Sequence, residues 1–399
     1  MKKILLVSPF PPAQNPRLVK EYESLKSNNF DVKVLYGEKD QWASNFKPLA
    51  NPDFILVGGE FGSPSYYATR LIHKLLKNIL PLAFGYNRVS WLLYLKGRSI
   101  AADLYIGHNM ASLPIVVKLA KLNNAKSGFD AEDFHRNELT NDQSKPEFIK
   151  PKALEDEFIE KTNYLTAASP LICKAYQALY SNLNFVVINN VFPNMQLIPK
   201  EKECVNDPNT LNLFWFSQTI GRDRGIEVVI DAIGLINSKK IKLTLLGFIT
   251  SEDKSYFESL ASENGLSIEQ LVFISSVAPG NIPKIARQHD IGLALELNIP
   301  FNRNICLTNK IFTYIISGLA IIATETEAQK LFLDQYPYIG KCFPVGDKVK
   351  LAEILVSYLN DKESLIQAKT TSKETALTTL NWEQESEKFM RIINQTLNT

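Results

Sequence analysis

Residues Trp215–Ala232 read WFSQTIGRDRGIEVVIDA. An apolar run halts at Ser217-Gln218-Thr219, passes through Gly221-Arg222-Asp223-Arg224-Gly225, and turns into a helical pattern. Glycines let backbone approach a ligand closely, and arginines fork onto phosphate or carboxylate oxygens. A strand followed by such a turn and a helix start also aims backbone N–H groups and the helix dipole at an anion. The stretch is neither GxGxxG nor a Walker A loop, and without the Lys-Ser/Thr pair an ATPase reading fails. It points to a diphosphate held by Gly221, Arg222 and Arg224.

Around this stretch, short apolar runs alternate with amphipathic helical ones. Before it come Ile4–Val7, Val32–Tyr36, Phe54–Val57, Leu104–Gly107, Ser127–Asp130, Tyr164–Ala167 and Val186–Ile188. Helical patterns lie between many of them, at Arg17–Ser27, Leu113–Leu122, Glu147–Lys161 and Pro170–Tyr180. Strands without polar alternation, separated by helices, indicate parallel sheets covered on both faces. Residues 191–210 are rich in Asn, Pro, Lys, Glu and Asp and read as a linker. The pattern then restarts at Leu211–Phe216, Leu243–Leu246, Leu271–Ile274, Ile291–Leu295 and Leu319–Ala323. The fold class is therefore α/β, with two Rossmann-like doubly wound domains over 1–190 and 211–380 and a closing C-terminal helix within 381–399.

Bulk properties agree. A chain of 399 residues suits two domains, and 45% hydrophobic with 22% charged residues describes a globular protein. A formal net charge of +2 shows no overall bias toward nucleic acid. Cys173, Cys204, Cys306 and Cys342 have no metal-type spacing and read as reduced thiols of a cytoplasmic protein. The opening MKKILLVSPFPP breaks its apolar run too early for a secretory signal, and no run is long enough to span a membrane. A two-domain solute-binding protein would need an export signal.

In open parallel sheets ligands sit at the carboxyl ends of strands. The first strand leads into SPFPPAQNPR, which taken alone reads as a surface loop, with Arg17 opening a helix behind Pro16. DLYIG is followed by His108, a core histidine or a functional one. SGFD leads into the densest polar cluster, Asp130, Glu132, Asp133, His135 and Arg136. Contact with substrate hydroxyls is favoured there over a metal, because no second ligand stands at a recognised spacing. DIGLALE ends at Glu296, and a polar loop leads to Thr308 as N-cap, then Asn309 and Lys310 in the first helical turn. A cation in a first turn opposes the helix dipole, which is easier to understand if an anion binds beside it.

In order, PFPPAQNPRLVKEYESLKSNNFDVKVL, GHNMASLPIVVKLAK, FDAEDFH, FSQTIGRDRGIEVVIDAI and TNKIFTYIISGLAIIAT resemble the GT-B glycosyltransferases. The nearest likeness is to the retaining, family 4 type of bacterial surface-polysaccharide assembly. The resemblance implies two domains facing each other across a cleft, the second holding a nucleotide-diphosphate sugar and the first presenting a glycan or lipid-linked acceptor. It implies donor contacts from Gly221, Arg222, Arg224, Glu296, Asn309 and Lys310. It places His108 near the transferred sugar and matches Asp130 and Glu132, read with it as the catalytic set, to the acidic cluster lining the acceptor side, where Arg17, Asp133 and His135 also stand. It also implies hexosyl or N-acetylhexosaminyl transfer with retention and without cofactor or metal, arginine and lysine neutralising the leaving diphosphate. Two departures stand out. Ile305 and Thr313 occupy the positions of a glutamate pair that many members carry, and a proline-rich turn replaces the glycine-rich one after the first strand. A non-catalytic nucleotide-sugar-binding subunit and a sugar-nucleotide epimerase are the alternative readings.

Between Arg70 and Arg98, LIHKLLKNILPLAFGYNRVSWLLYLKGR mixes basic residues with Leu, Trp91 and Tyr94. Two readings are open: a half-buried helical pair covering the first domain, or a patch in peripheral contact with the inner membrane.

Overall fold

A computed structural model of the chain describes residues 1–38, 51–194 and 209–399. Its contacts divide into two compact units. The first takes in Met1–Asn189, Pro300–Asn302 and Glu385–Thr399, and the second Asn190–Ile299 and Arg303–Gln384.

The first unit is built on seven parallel strands: β1 (Lys3–Ser8), β2 (Asp31–Tyr36), β3 (Phe54–Leu56), β4 (Leu104–His108), β5 (Lys126–Ala131), β6 (Tyr164–Ala167) and β7 (Asn184–Val187). Their spatial order is β3-β2-β1-β4-β5-β6-β7. The chain builds outward from β1 in one direction and then returns to build from β4 in the other. The crevice between the carboxyl ends of β1 and β4 is thus a topological switch point. Central strands are apolar throughout because helices cover both faces; Leu5, Val7, Tyr105, Ile115 and Leu119 share one buried cluster. The helix Pro16–Ser27 starts where expected: Pro16 fits its first position, and the Asn15 side chain accepts the Leu18 N–H at 3.0 Å.

The second unit repeats the scheme with six parallel strands: β8 (Leu211–Thr219), β9 (Ile241–Phe248), β10 (Leu271–Ile274), β11 (Ile291–Ala294), β12 (Ala320–Thr324) and β13 (Gly340–Phe343), ordered β10-β9-β8-β11-β12-β13. Its switch point lies between β8 and β11. Trp215, Ile226, Ile230, Leu243, Leu293 and Ile322 belong to one core. The helix Asn309–Ser317 ends on Gly318, whose φ of 69° is the left-handed conformation that closes a helix.

Some expectations need correction. β8 does not stop at Phe216: after a register irregularity Thr219 pairs with Phe248, so Ser217 and Gln218 are strand residues. β13 is an edge strand whose Gly-Lys-Cys-Phe sequence carries no alternation to announce it. Of the pair suggested between Arg70 and Arg98, the first helix, Pro64–Leu76, is not half-buried: Tyr66 is its one buried residue. The closing helix runs Trp382–Asn398. Most of the linker assigned to 191–210, and Cys204 with it, lies outside the described residues. No helix among the described residues is long and apolar enough to cross a membrane.

Candidate active site

In the first unit the switch point gathers an ionic cluster. The loop before Arg17, taken alone, reads as a surface loop, but Arg17, which opens the helix as expected, is fully buried. Pro16 sets the helix start so that the Arg17 side chain turns inward. Its Nη2 donates to Asp130 Oδ1 at 2.8 Å and its Nε to Oδ2 at 2.5 Å, while Nη1 donates to the Ile188 carbonyl. Thr166 Oγ1 adds a 2.8 Å bond to Asp130 Oδ1. Burial opposes ionisation of Asp130, but Arg17 and His108 override it and hold the carboxyl well below its usual range.

His108 ends β4 with no exposed surface. Its ring nitrogens lie 3.2 Å from Glu21, 3.3 Å from Asp130 and 3.5 Å from Glu132, in ion-pair range though not aligned as hydrogen bonds. Burial disfavours the imidazolium, yet Glu21, Asp130 and Glu132 raise its pKa well above the ordinary value. Ligand atoms of Glu21, His108 and Asp130 lie within 4.8 Å of one another, a spacing that would suit a cation. Arg17 already grips both oxygens of Asp130 and His108 is itself held positive, so the donor set does not fit a divalent ion.

Glu132 is the exposed end of this cluster, its side chain 24% accessible. Oε1 accepts from Asn15 Nδ2 at 2.6 Å and from Asn109 Nδ2 at 3.2 Å. Asn109 reaches it from a backbone φ of 66°, an uncommon conformation at the end of β4. Asp133 accepts from Asn302 Nδ2 at 2.7 Å, and burial with Glu138 nearby pushes its carboxyl up to about 6. His135 points elsewhere: its Nδ1 meets Glu138 at 2.8 Å, and it lines a cleft of about 190 Å³ with Tyr86, Leu139 and Lys150. His108, Asp130, Glu132 and Arg17 thus come together, while His135 stands apart. Sequence reasoning missed Glu21, Asn15, Thr166 and Asn302. Glu21 alone carried a local signal, four residues beyond Arg17 on the same helix.

The second unit brings a different set to its own switch point. The turn after β8 has Asp223 at φ 58° and Gly225 at φ 81°. Gly225 lies against Leu295, where a Cβ would come within 3.0 Å, so the turn is seated on the end of β11. Beside Gly221 the space is open. Arg224 Nη1 donates to Ser217 Oγ at 2.9 Å. Arg222 turns aside, pairing with Glu252 at 2.9 Å and Asp253 at 3.1 Å and lying over the Tyr256 ring. Past β11, Glu296 is 5% exposed, and Lys310 Nζ donates to it at 2.7 Å. Burial works against the Glu296 charge, but Lys310 and Arg303 leave its pKa lowered. The ammonium also sits 5.8 Å from the Trp215 ring. Thr308 is the N-cap residue of the Asn309–Ser317 helix without a side-chain capping bond, and Asn309 Oδ1 accepts from Asn190 at 2.7 Å. Ile305 is buried, and the Thr313 hydroxyl donates to the Asn309 carbonyl, so neither replaces the missing carboxylates.

Solved structures share this two-sheet plan over nearly the whole chain. Sucrose-phosphate synthase from Thermosynechococcus elongatus matches with a TM-score of 0.75 at 15% identity, covering 99% of both chains. HepE from Anabaena, solved with UDP, matches at 0.71 and 12%, covering 99% of this chain and 100% of its own. TarM of S. aureus, in a complex that includes UDP, matches at 0.69 and 9%, with coverage of 99% and 100%. The fold is GT-B. No protein-family model matches the sequence, and no curated protein does. Within a GT-B fold, both residue sets lie at the switch point of their own sheet, where doubly wound domains bind ligands.

Proposed function

We propose that the protein is a glycosyltransferase that moves a hexosyl or N-acetylhexosaminyl group from a nucleotide-diphosphate sugar to a glycan or lipid-linked acceptor. The reading includes retention at the transferred carbon, independence from metal, and a role in polysaccharide or glycoconjugate synthesis at the cytoplasmic face of the inner membrane. The observation that carries it is the turn bearing Arg224, seated through Gly225 against Leu295, next to the Glu296–Lys310 pair.

Arg224 and Lys310 supply positive charge where a diphosphate accumulates negative charge as it leaves. One N–H of Lys310 is committed to Glu296, and an ammonium has two more to offer. Backbone N–H groups at the start of the Ile226–Ile236 helix, whose N-cap Gly225 has no side chain, add to this field. Glu296 orients Lys310 and is the carboxylate nearest to the ribose role that Ile305 and Thr313 lack. On the acceptor side, Glu132 and Asp133 meet hydroxyls, with His108, Asp130 and Arg17 behind them as positioning groups. Retention without an enzymic nucleophile has the donor phosphate receive the proton of the attacking hydroxyl. The solved complexes of HepE with UDP and UDP-glucose make uridine nucleotides the first to try.

Thermal-shift measurements with UDP, GDP, ADP, CMP and dTDP, each with and without EDTA, test the site. One nucleoside diphosphate, UDP first, is expected to stabilise the protein equally in EDTA. Stabilisation by none of them would remove the donor site, and stabilisation that EDTA abolishes would remove the metal-free mechanism. The uncharged residues at positions 305 and 313 favour one second reading, a subunit that binds nucleotide sugar without turnover. Release of UDP from UDP-glucose in the presence of acceptor glycans separates the two.

A further inference from the structure

The helix Pro64–Leu76 is turned the wrong way round for a helix of a globular domain. Such a helix normally buries its apolar stripe and shows water its charges. Here the attachment to the first unit is made by polar and aromatic residues on one face. Tyr66 is buried beneath the Arg88 guanidinium, the Thr69 hydroxyl donates to the Gly58 carbonyl, and His73 Nε2 contacts the Gly85 carbonyl at 3.0 Å. The opposite face carries Tyr67, Leu71 and Leu75, continued by Ile79, with Ile72 and Leu76 at its margin. Leu71, Leu75 and Ile79 are 59%, 65% and 77% exposed. Residues 67, 71 and 75 recur every fourth position and form one continuous stripe.

Charge on this segment is equally one-sided. Between Glu60 and Asp103 there is no acidic residue, while Arg70, Lys74, Lys77, Arg88, Lys96 and Arg98 are all basic. Arg70, Lys74 and Lys77 flank the apolar stripe itself. An apolar face bordered by cations, on a segment with no acid of its own, matches the boundary of an anionic bilayer, where acyl chains lie just beneath phosphate. A helix of 13 residues is about 20 Å long, too short to cross a hydrocarbon core of about 30 Å, so it lies in the surface.

We propose that the Pro64–Leu76 helix and Ile79 dock the protein on a membrane containing anionic lipid. Leu71, Leu75 and Ile79 enter the acyl boundary, and Arg70, Lys74 and Lys77 meet lipid phosphates. The proposal stands on this face alone and holds whether or not the chain transfers sugar.

Flotation of the full-length protein with phosphatidylcholine vesicles, alone or mixed with phosphatidylglycerol, tests it. The protein is expected to float with the anionic vesicles at low salt, to stay behind with the neutral ones, and to be released as salt rises. Leu71→Asp with Leu75→Asp, and separately Lys74→Glu with Lys77→Glu, should each reduce anionic-vesicle binding about tenfold or more. All four residues are exposed, so circular dichroism and nucleotide-induced thermal shifts should match the native protein. Failure of the native protein to float with anionic vesicles would overturn the proposal, as would equal flotation with neutral ones or no loss in either variant. So would sedimentation showing a dimer that Leu71→Asp with Leu75→Asp dissociates while no vesicle is bound, because the face would then belong to a second copy.

Discussion

Two arginines stand two positions apart in the turn after β8, and the structure gives them different duties. Among the described residues Arg224 holds only a serine hydroxyl, which a phosphate oxygen can replace, whereas Arg222 is committed to Glu252 and Asp253. Arg224→Ala is therefore expected to weaken nucleoside-diphosphate binding by about 1.5–3 kcal/mol, or about ten- to a hundredfold, by titration calorimetry. Arg222→Ala gives up exposed pairs and should cost less than about fivefold. Equal losses would mean that the turn rearranges on binding. A second residue-scale test concerns His135. Burial opposes its charge, but Glu138, with Asp133 and Glu155 nearby, raises its pKa to about 9. A histidine pKa raised on folding stabilises the protein fully below about 6.5, and that contribution disappears as pH climbs through about 9. The stability gap between the native protein and His135→Gln should reach up to about 3 kcal/mol near pH 6 and close above pH 9, as read by chemical denaturation. A gap independent of pH would show that packing alone is at stake. Sequence spacing could not rank Arg222 against Arg224, because Glu252 and Asp253 lie a helix, a strand and a second helix start further along the chain.

At the scale of elements, both sheets use a glycine in a strand to seat a tyrosine ring. Gly128 of β5 lies under Tyr164 of the neighbouring β6, and Gly292 of β11 lies under Tyr314 of the Asn309–Ser317 helix, whose hydroxyl donates to the Leu293 carbonyl at 2.9 Å. A Cβ at Gly292 would meet the Tyr314 ring at 2.1 Å. Both residues are enclosed, so Gly292→Ala should destabilise the second unit by about 1–3 kcal/mol in urea unfolding. A cost below about half a kcal/mol would show that the helix shifts freely, and with it the placement of Asn309 and Lys310. Most elements were legible because their physics is local. Apolar runs marked the central strands, Pro16 one helix start and Thr308 another. β13 was not legible, since an edge strand receives its pairing from Ile321–Thr324 rather than from its own residues. The exposure of the Pro64–Leu76 helix was left undecided for a related reason. Helical spacing reveals an apolar stripe but not which way it faces.

Across the whole molecule, the doubling of a parallel sheet was readable from the restart of the pattern at Leu211, whereas the GT-B likeness lay in the ordered motifs and is carried by the solved structures. What a linear reading could not supply was depth. Arg17, His108 and Asp130 were picked out because they follow strands, yet all three are sealed from solvent, with Glu132 as the exposed member. Burial arises from where β1, β4, β5 and β6 lie relative to one another, and the residues concerned are distant in sequence. The modest net charge of +2 likewise conceals a segment of 42 residues with six basic side chains and no acidic one. Charge balance over a chain says little about how a surface is oriented toward a partner.

The enclosure of the His108 cluster has a kinetic side. Arg17, His108, Asp130 and Glu21 have no exposed surface, so a proton reaches or leaves their group through partly accessible neighbours such as Glu132 or when the unit opens locally. Over the residence of a bound ligand the cluster would behave as a fixed electrostatic background rather than a proton store. Its influence on any ligand at the end of β4 would then be set when the chain folds, and acidity changes in the surrounding water would reach it late.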